Sequence, residues 1–240
     1  MSDWPQHGRR RLILSAPVGR IGTDIPDIEA GLLKEMDAGA VMMMGDNPAL
    51  QRMPARPRLL DFFRLRFGEI TFRHLLNSAL LAREAGHSET VILACLLHDL
   101  SNGALIRSDH GYWSAQLVAP YVSEEIAWAV RYHQALRFLP DESVGYGYPQ
   151  AYRRYFGDDF EMPEHIRRDA AYARAHKWYM TSRIITLNDV YAFDNADAID
   201  PELFADVIGR NFREPEEGLG FDNSPVAHMW RTMIWPNNFL

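Results

Sequence analysis

"LACLLHDLSN", residues 93–102, is the stretch on which the reading of this chain turns. The apolar run "VILACLL" ends in His98 and Asp99. A helix that is apolar all round is a buried helix, and it would carry an imidazole and a carboxylate into the interior with it. Charges are rarely buried without a partner, and a metal ion is one such partner. The rest of the chain must then supply further ligands.

Helical patterns on either side supply them. "PRLLDFFRLRFG" (57–68) places Leu59, Phe62, Phe63 and Leu65 near helical spacing. "TFRHLLNSALLAREAG" (71–86) carries an i, i+3, i+4, i+7 stripe through Phe72, Leu75, Leu76, Ala79, Leu80 and Ala82, with Gly86 as its stop. Ser88 is an N-cap for "ETVILACLLHD". "DHGYWSAQLVAPYV" and "SEEIAWAVRYHQALRFL" read as two more helices, the second capped by Ser123. "EHIRRDAAYARAHKWYMTSRIITLNDVYAF" reads as one or two helices, and "DPELFADVIGRNF" as another, with Asp200 as cap and Pro201 first. Residues 140–162, rich in Gly, Pro and Tyr, read as a long loop beside a site, and the Trp-rich tail reads as loop. Strand alternation is scarce, so the expected class is all-α. Residues 1–56 form an N-terminal extension of unclear structure, in which "IEAGLLKEMDAGAVMMM" allows a helix. Residues 57–240 form the helical domain.

Composition narrows the field. The 240 residues are enough for a sizeable core. A net charge of −7 and a pI near 5.7 argue against a protein held on nucleic acid by phosphate contacts. Arg52, Arg56, Arg58, Arg64, Arg66 and Arg73 cluster locally, which reads as a solvated helix face. One cysteine, Cys95, allows no intrachain disulfide, and it reads as a small core hydrophobe. No apolar run approaches the roughly 20 residues of a membrane span, and the N-terminal apolar stretch is too short and broken for a signal peptide. A reducing, cytoplasmic setting is expected. There is no P-loop, dinucleotide fingerprint, nucleophile elbow or Cys-x-x-Cys pair.

The candidate ligands are His74, His98, Asp99, His110, His133 and Asp189. From His74 the His-Asp pair lies 24 residues on, His110 is 11 beyond Asp99, His133 is 23 further and Asp189 another 56. Imidazole nitrogens and carboxylate oxygens suit Fe, Mn or Zn. Singly, each histidine reads more simply as a hydrogen-bonded structural residue; order and spacing together carry the site. His7, His87, His165, His176 and His228 have no motif around them.

This pattern resembles the HD-domain superfamily of metal-dependent helical enzymes, whose hallmark is a His-Asp pair closing an apolar helix. The likeness covers roughly residues 60–195. It implies an HD-domain helical bundle with two metal ions. His74, His98, Asp99 and Asp189 would serve one, and His110, His133 and a bridging Asp99 the other. Most of the superfamily hydrolyses phosphate compounds. A smaller branch, similar to myo-inositol oxygenase and the phosphonate-oxidising HD oxygenases, uses a mixed-valence Fe(II)/Fe(III) pair and O₂ for oxidative C–H activation, with C–C or C–P cleavage in some members.

Two details resemble the oxygenase branch. "YHQALRFL" (132–139) is similar to the segment in which a Lys four residues after the His grips the substrate's anionic group, and Arg137 stands there in this chain. His133 and Arg137 are i, i+4 and would share a helix face. The guanidinium offers a fork to a phosphonate or carboxylate. "NDVYAF" (188–193) is similar to the Asp-Leu-Tyr around the last ligand of inositol oxygenases. One detail departs: the branch has a gating Tyr and Glu ahead of the first His, whereas here Glu69 precedes His74 by five residues and Arg66 stands three before Glu69.

The resemblance therefore implies an O₂-dependent di-iron oxygenase of a small polar, anionic substrate. Asp99 and Arg137 would be its catalytic side chains. Arg137, Tyr146 and Tyr148 would bind substrate, with Tyr152 a further candidate from the Tyr-rich loop. A phosphohydrolase using Mn, Zn or Mg at the same ligands is the alternative, and a degenerate fold used only for binding would be expected to have lost ligands. Arg153, Arg154, Lys177 and Arg183 could also meet an anion. Oligomeric state is unreadable, although the arginine-rich stretch and Trp230 and Trp235 of the tail suggest interface.

Overall fold

The computed structural model describes residues 50–157, 159–192 and 199–236. The expectations placed on residues 1–49, including the helix around 28–44, lie outside these. Among the described residues there is no strand, only an isolated antiparallel bridge between Asp141 and Tyr146. In chain order the α-helices are α1 (Leu59–Leu65), α2 (Glu69–Glu84), α3 (Glu89–Leu97), α4 (Leu100–Ala104), α5 (His110–Val118), α6 (Glu124–Leu136), α7 (Gln150–Phe156), α8 (Glu164–Arg174), α9 (Tyr179–Tyr191), α10 (Ala205–Asn211) and α11 (Ala227–Ile234). Short 3₁₀ turns cover Glu142–Val144 and Pro201–Phe204.

Helix ends fall where the local chemistry sets them. Gly86 takes φ +73, and the N–H groups of His87 and Gly86 reach the Ala82 and Arg83 carbonyls, a Schellman stop for α2. Ser88 and Ser123 accept from the N–H groups of Val91 and Ile126 and so cap α3 and α6. Asp200 accepts from Glu202, but the turn it caps is 3₁₀ before it becomes α10.

The core forms around α3, whose residues Val91 to Leu97 are each at most 6% exposed. That helix packs against α2, α6, α9 and α10, so it has no solvent face and needs no polar stripe. Burial of its leucines contributes about 2 kcal/mol each. Cys95 is wholly buried there, and burial pushes its thiol up to about 12, so it is an inert packing residue.

Two stretches differ from what the pattern predicts. Residues 140–162 are not one long loop, because α7 forms within them, led by Pro149 and closed by Gly157 at φ +91. The tail contains α11, and Trp230 is a core residue rather than part of an interface. Its ring meets Phe62 edge-on at 4.7 Å and its indole N–H donates to the Leu117 carbonyl. The arginine-rich stretch is mostly exposed, as a solvated face should be, with Arg64 paired to Glu202 and Arg66 donating to the Ile234 and Gln51 carbonyls.

Candidate metal centre

Because α3 is buried from Val91 to its end, that end delivers His98 and Asp99 to the middle of the bundle. His98 closes α3 and Asp99 precedes α4. His74 comes from the middle of α2, His110 opens α5, His133 lies in the last turn of α6, and Asp189 in the last turn of α9. All six are buried. The ligand atoms of His74, His98 and Asp99 lie within 4.8 Å of one another, and so do those of Asp99, His110 and His133. Asp99 is common to both groups. Asp189 joins the first, with Oδ1 3.2 Å from His74 Nε2 and 3.8 Å from His98 Nε2.

The imidazoles are oriented by their own helices. Nδ1 of His98 is 2.7 Å from the Cys95 carbonyl, Nδ1 of His133 is 2.6 Å from that of Val130, and Nδ1 of His110 is 3.3 Å from that of Arg107. A carbonyl only accepts, so Nδ1 carries a hydrogen in each case and Nε2 is the ring atom turned inward, the one a metal would bind. Close approach of α5 to α6 brings His110 beside His133. At Gly111 a Cβ would stand 2.7 Å from the Arg131 carbonyl oxygen, and the Gly111 N–H is bound by Gln134 Oε1. Asp109, just before His110, is at φ +50, a left-handed conformation that Asp tolerates better than most residues.

The cluster's chemistry suits a cation. His110 Nε2, His133 Nε2 and Asp99 Oδ1 are buried and make no hydrogen bond, although Asp99 Oδ1 is 3.2 Å and 3.4 Å from the two nitrogens. His74 Nε2 faces His98 Nε2 at 3.1 Å. Two ligands about 2.1 Å from one metal and at right angles to each other are about 3 Å apart. Burial raises the Asp99 and Asp189 carboxyls. The imidazoles outweigh it, those of His98 and His110 at Asp99 and those of His74 and His98 at Asp189, and hold both well below the usual carboxylate range. Burial lowers His98, but the charges of Asp99 and Asp189 prevail and raise it to about 9. Burial, helped by the nearby charges of His133 and Arg137 against the pull of Asp99, holds His110 at about 4, and burial also lowers His133. Two ionised carboxylates and inward-facing Nε2 atoms, those of His110 and His133 without a hydrogen-bond partner, fit a metal ion.

Outside the cluster, Asn102 donates to Asp99 Oδ2 at 3.1 Å, and the Tyr152 hydroxyl donates to Asp189 Oδ2 at 3.3 Å. A cleft of about 910 Å³ opens beside it, reaching His110 and lined by Arg137 and Tyr152 and by Glu69 and Arg107 nearer the surface. The Arg137 guanidinium sits 5.5 Å over the Tyr152 ring. Arg137, read from sequence as a substrate anchor, is thus beside the cluster. Its place is set by residues the sequence did not single out for that purpose. Arg183, wholly buried, donates to the Leu136 and Leu139 carbonyls at the end of α6, and the Tyr179 hydroxyl links it to Asp141.

Other expected site residues go elsewhere. Tyr146 is buried with its hydroxyl donated to the Arg137 carbonyl and its ring 4.7 Å from the Arg183 guanidinium, so it props the segment and does not face the cleft. Tyr148 lines a separate hollow with Phe138, Arg153 and Met162. Of the three candidate tyrosines only Tyr152, from α7, lines the cleft. Arg183 is spoken for by backbone carbonyls, and Lys177 lies over the Trp178 ring. Asn102 closes the His-Asp stretch without a role assigned to it in sequence, and Arg107 sits in no recognisable motif.

The HD-domain family model matches residues 71–199, a span that contains all six candidate ligands. The chain belongs to the HD-domain family, whose members are typically metal-dependent enzymes, hydrolases and oxygenases among them. No curated protein matches the chain. No helix among the described residues is long and apolar enough to cross a membrane.

Proposed function

We propose that this chain is a di-iron, O₂-dependent oxygenase that oxidises a small anionic molecule. The observation that carries the reading is the placement of Arg137. It stands one helical turn beyond His133 at the wall of the cleft, near enough for its charge to act on His110, in a segment similar to the substrate-gripping segment of the phosphonate-oxidising branch. His74, His98, Asp99 and Asp189 would hold one iron, and His110, His133 and Asp99 the other. A bound iron pair supplies the redox chemistry with O₂ that no side chain here can perform.

The chain's own residues do the rest. Arg137 binds the anion as a planar, permanently charged fork and so orients the carbon to be oxidised toward His110. Arg107 adds positive charge along the same cleft. Tyr152 and Asn102 donate to Asp189 Oδ2 and Asp99 Oδ2 and so hold the two carboxylates in orientation for a metal. Tyr152 and Phe156 give the cleft an aromatic wall beside the cluster. O₂ and one small organic anion are the only partners the reading needs.

Electron paramagnetic resonance on iron-loaded, anaerobically purified and partly oxidised protein tests the reading. A coupled S = 1/2 signal that changes when an organic anion is added is the expected result. A filled site without that signal, together with release of phosphate from phosphate esters in Mn²⁺ or Mg²⁺, would replace it with the phosphohydrolase alternative.

A further inference from the structure

The two most exposed large hydrophobic side chains among the described residues are Tyr155, at 83%, and Ile70, at 69%. Both line the cleft that reaches His110. Ile70 stands in the first turn of α2 and Tyr155 near the end of α7. Phe156 and Tyr152 continue the apolar lining inward, while Arg137 and Arg107 are the cleft's cations. Scattered exposed apolar residues need no explanation, but apolar residues gathered around a concave site mark what binds there. The volume points the same way. About 910 Å³ is at the upper end of pockets that hold ligands of drug size, far beyond what a two- or three-carbon anion fills.

Resting on the reading of this cleft as the substrate site, we infer that the substrate is an amphiphilic anion. Its charged head is held by Arg137, with Arg107 assisting, and an apolar chain or ring runs outward along Phe156 to Ile70 and Tyr155. The site would then select for the apolar body as well as the head, and a purely polar polyol or a one-carbon anion would leave the outer cleft to water.

The test is binding, with no turnover needed. The full-length chain loaded with Zn²⁺ is titrated calorimetrically with n-alkylphosphonates from methyl to octyl. Affinity should rise about two- to fourfold per methylene until the chain reaches the lip. Ile70→Ser and Tyr155→Ser should reduce the gain for octylphosphonate more than they reduce methylphosphonate binding. Both residues are exposed, so neither change should endanger the fold. If affinity is flat or falls with chain length while methylphosphonate still binds in an Arg137-dependent way, the amphiphile is refuted and the anion site survives. If no alkylphosphonate binds, or Arg137→Ala changes nothing, the cleft is not an anion-binding site and both readings fall.

Discussion

The floor of the site and its wall are built differently. The floor is six buried side chains brought together by five helices, α2, α3, α5, α6 and α9, with three imidazoles fixed by the carbonyl three residues back in their own chain. The wall that α7 contributes is a seven-residue helix with no buried residue, held by the Tyr152 hydroxyl on Asp189 and by aromatic contacts of Phe156 with Phe138 and Phe160. Moving a floor residue disturbs the core, whereas moving a wall residue disturbs a local set of aromatic contacts outside the main core. On the proposed reading the chemistry would be fixed by the fold, while what the site accepts would be set by a small element that substitutions can alter at little cost in stability.

Asp99→Asn should have the largest effect, because one carboxylate serves both groups of ligands. Metal affinity should fall by at least about 100-fold, a loss at or beyond that seen for outer-shell partners, with metal content per chain as the readout. Gly111→Ala comes next. Its methyl would meet the Arg131 carbonyl oxygen at 2.7 Å, so α5 must shift from α6 and separate His110 from His133. A loss of about 1–3 kcal/mol in stability by denaturant titration is expected, with weaker metal uptake alongside it; a variant as stable as the parent would show that the floor is less rigid than described.

Tyr152→Phe probes the joint between floor and wall. It should lower metal affinity about tenfold and leave denaturant stability within about 0.5 kcal/mol. A change in stability without a change in metal affinity would mean that Tyr152 belongs to the packing alone. The smallest effect concerns Asp141, whose hydrogen bonds from Ser143 and Tyr179 hold its carboxyl down at about 2 against an ordinary 3.8. A carboxyl lowered by folding contributes stability that is present above its unfolded value and lost as pH falls toward its folded one. Acid titration of the parent should thus show a loss between about pH 4 and 2 that Asp141→Asn lacks.

The same division explains what the sequence disclosed. His98 and Asp99 were legible because a helix buried on every side leaves an apolar run with a charged end, and the remaining ligands fall in order on strongly patterned helices. The wall was not. α7 is only seven residues long, and its aromatic stripe of Tyr152, Tyr155 and Phe156 is masked by the Gly, Pro and Tyr around it, so Tyr146, Tyr148 and Tyr152 were equivalent on the page; Pro149 and Gly157 were the signals available for its ends. Arg183 was opaque because a buried guanidinium that binds helix carbonyls looks, in sequence, like any surface arginine. Trp230 was misjudged because the helical spacing of Ala227, Trp230, Met233 and Ile234 was hidden in a tail rich in turn residues.

The central claim is that one buried cluster holds two ions that share Asp99. Anomalous diffraction at the iron edge, on crystals of the full chain grown anaerobically with added iron, tests it most directly. Two peaks are expected, one beside His74, His98 and Asp189 and one beside His110 and His133, with Asp99 reaching both. A single peak, or iron bound elsewhere with this cluster empty, would contradict the account.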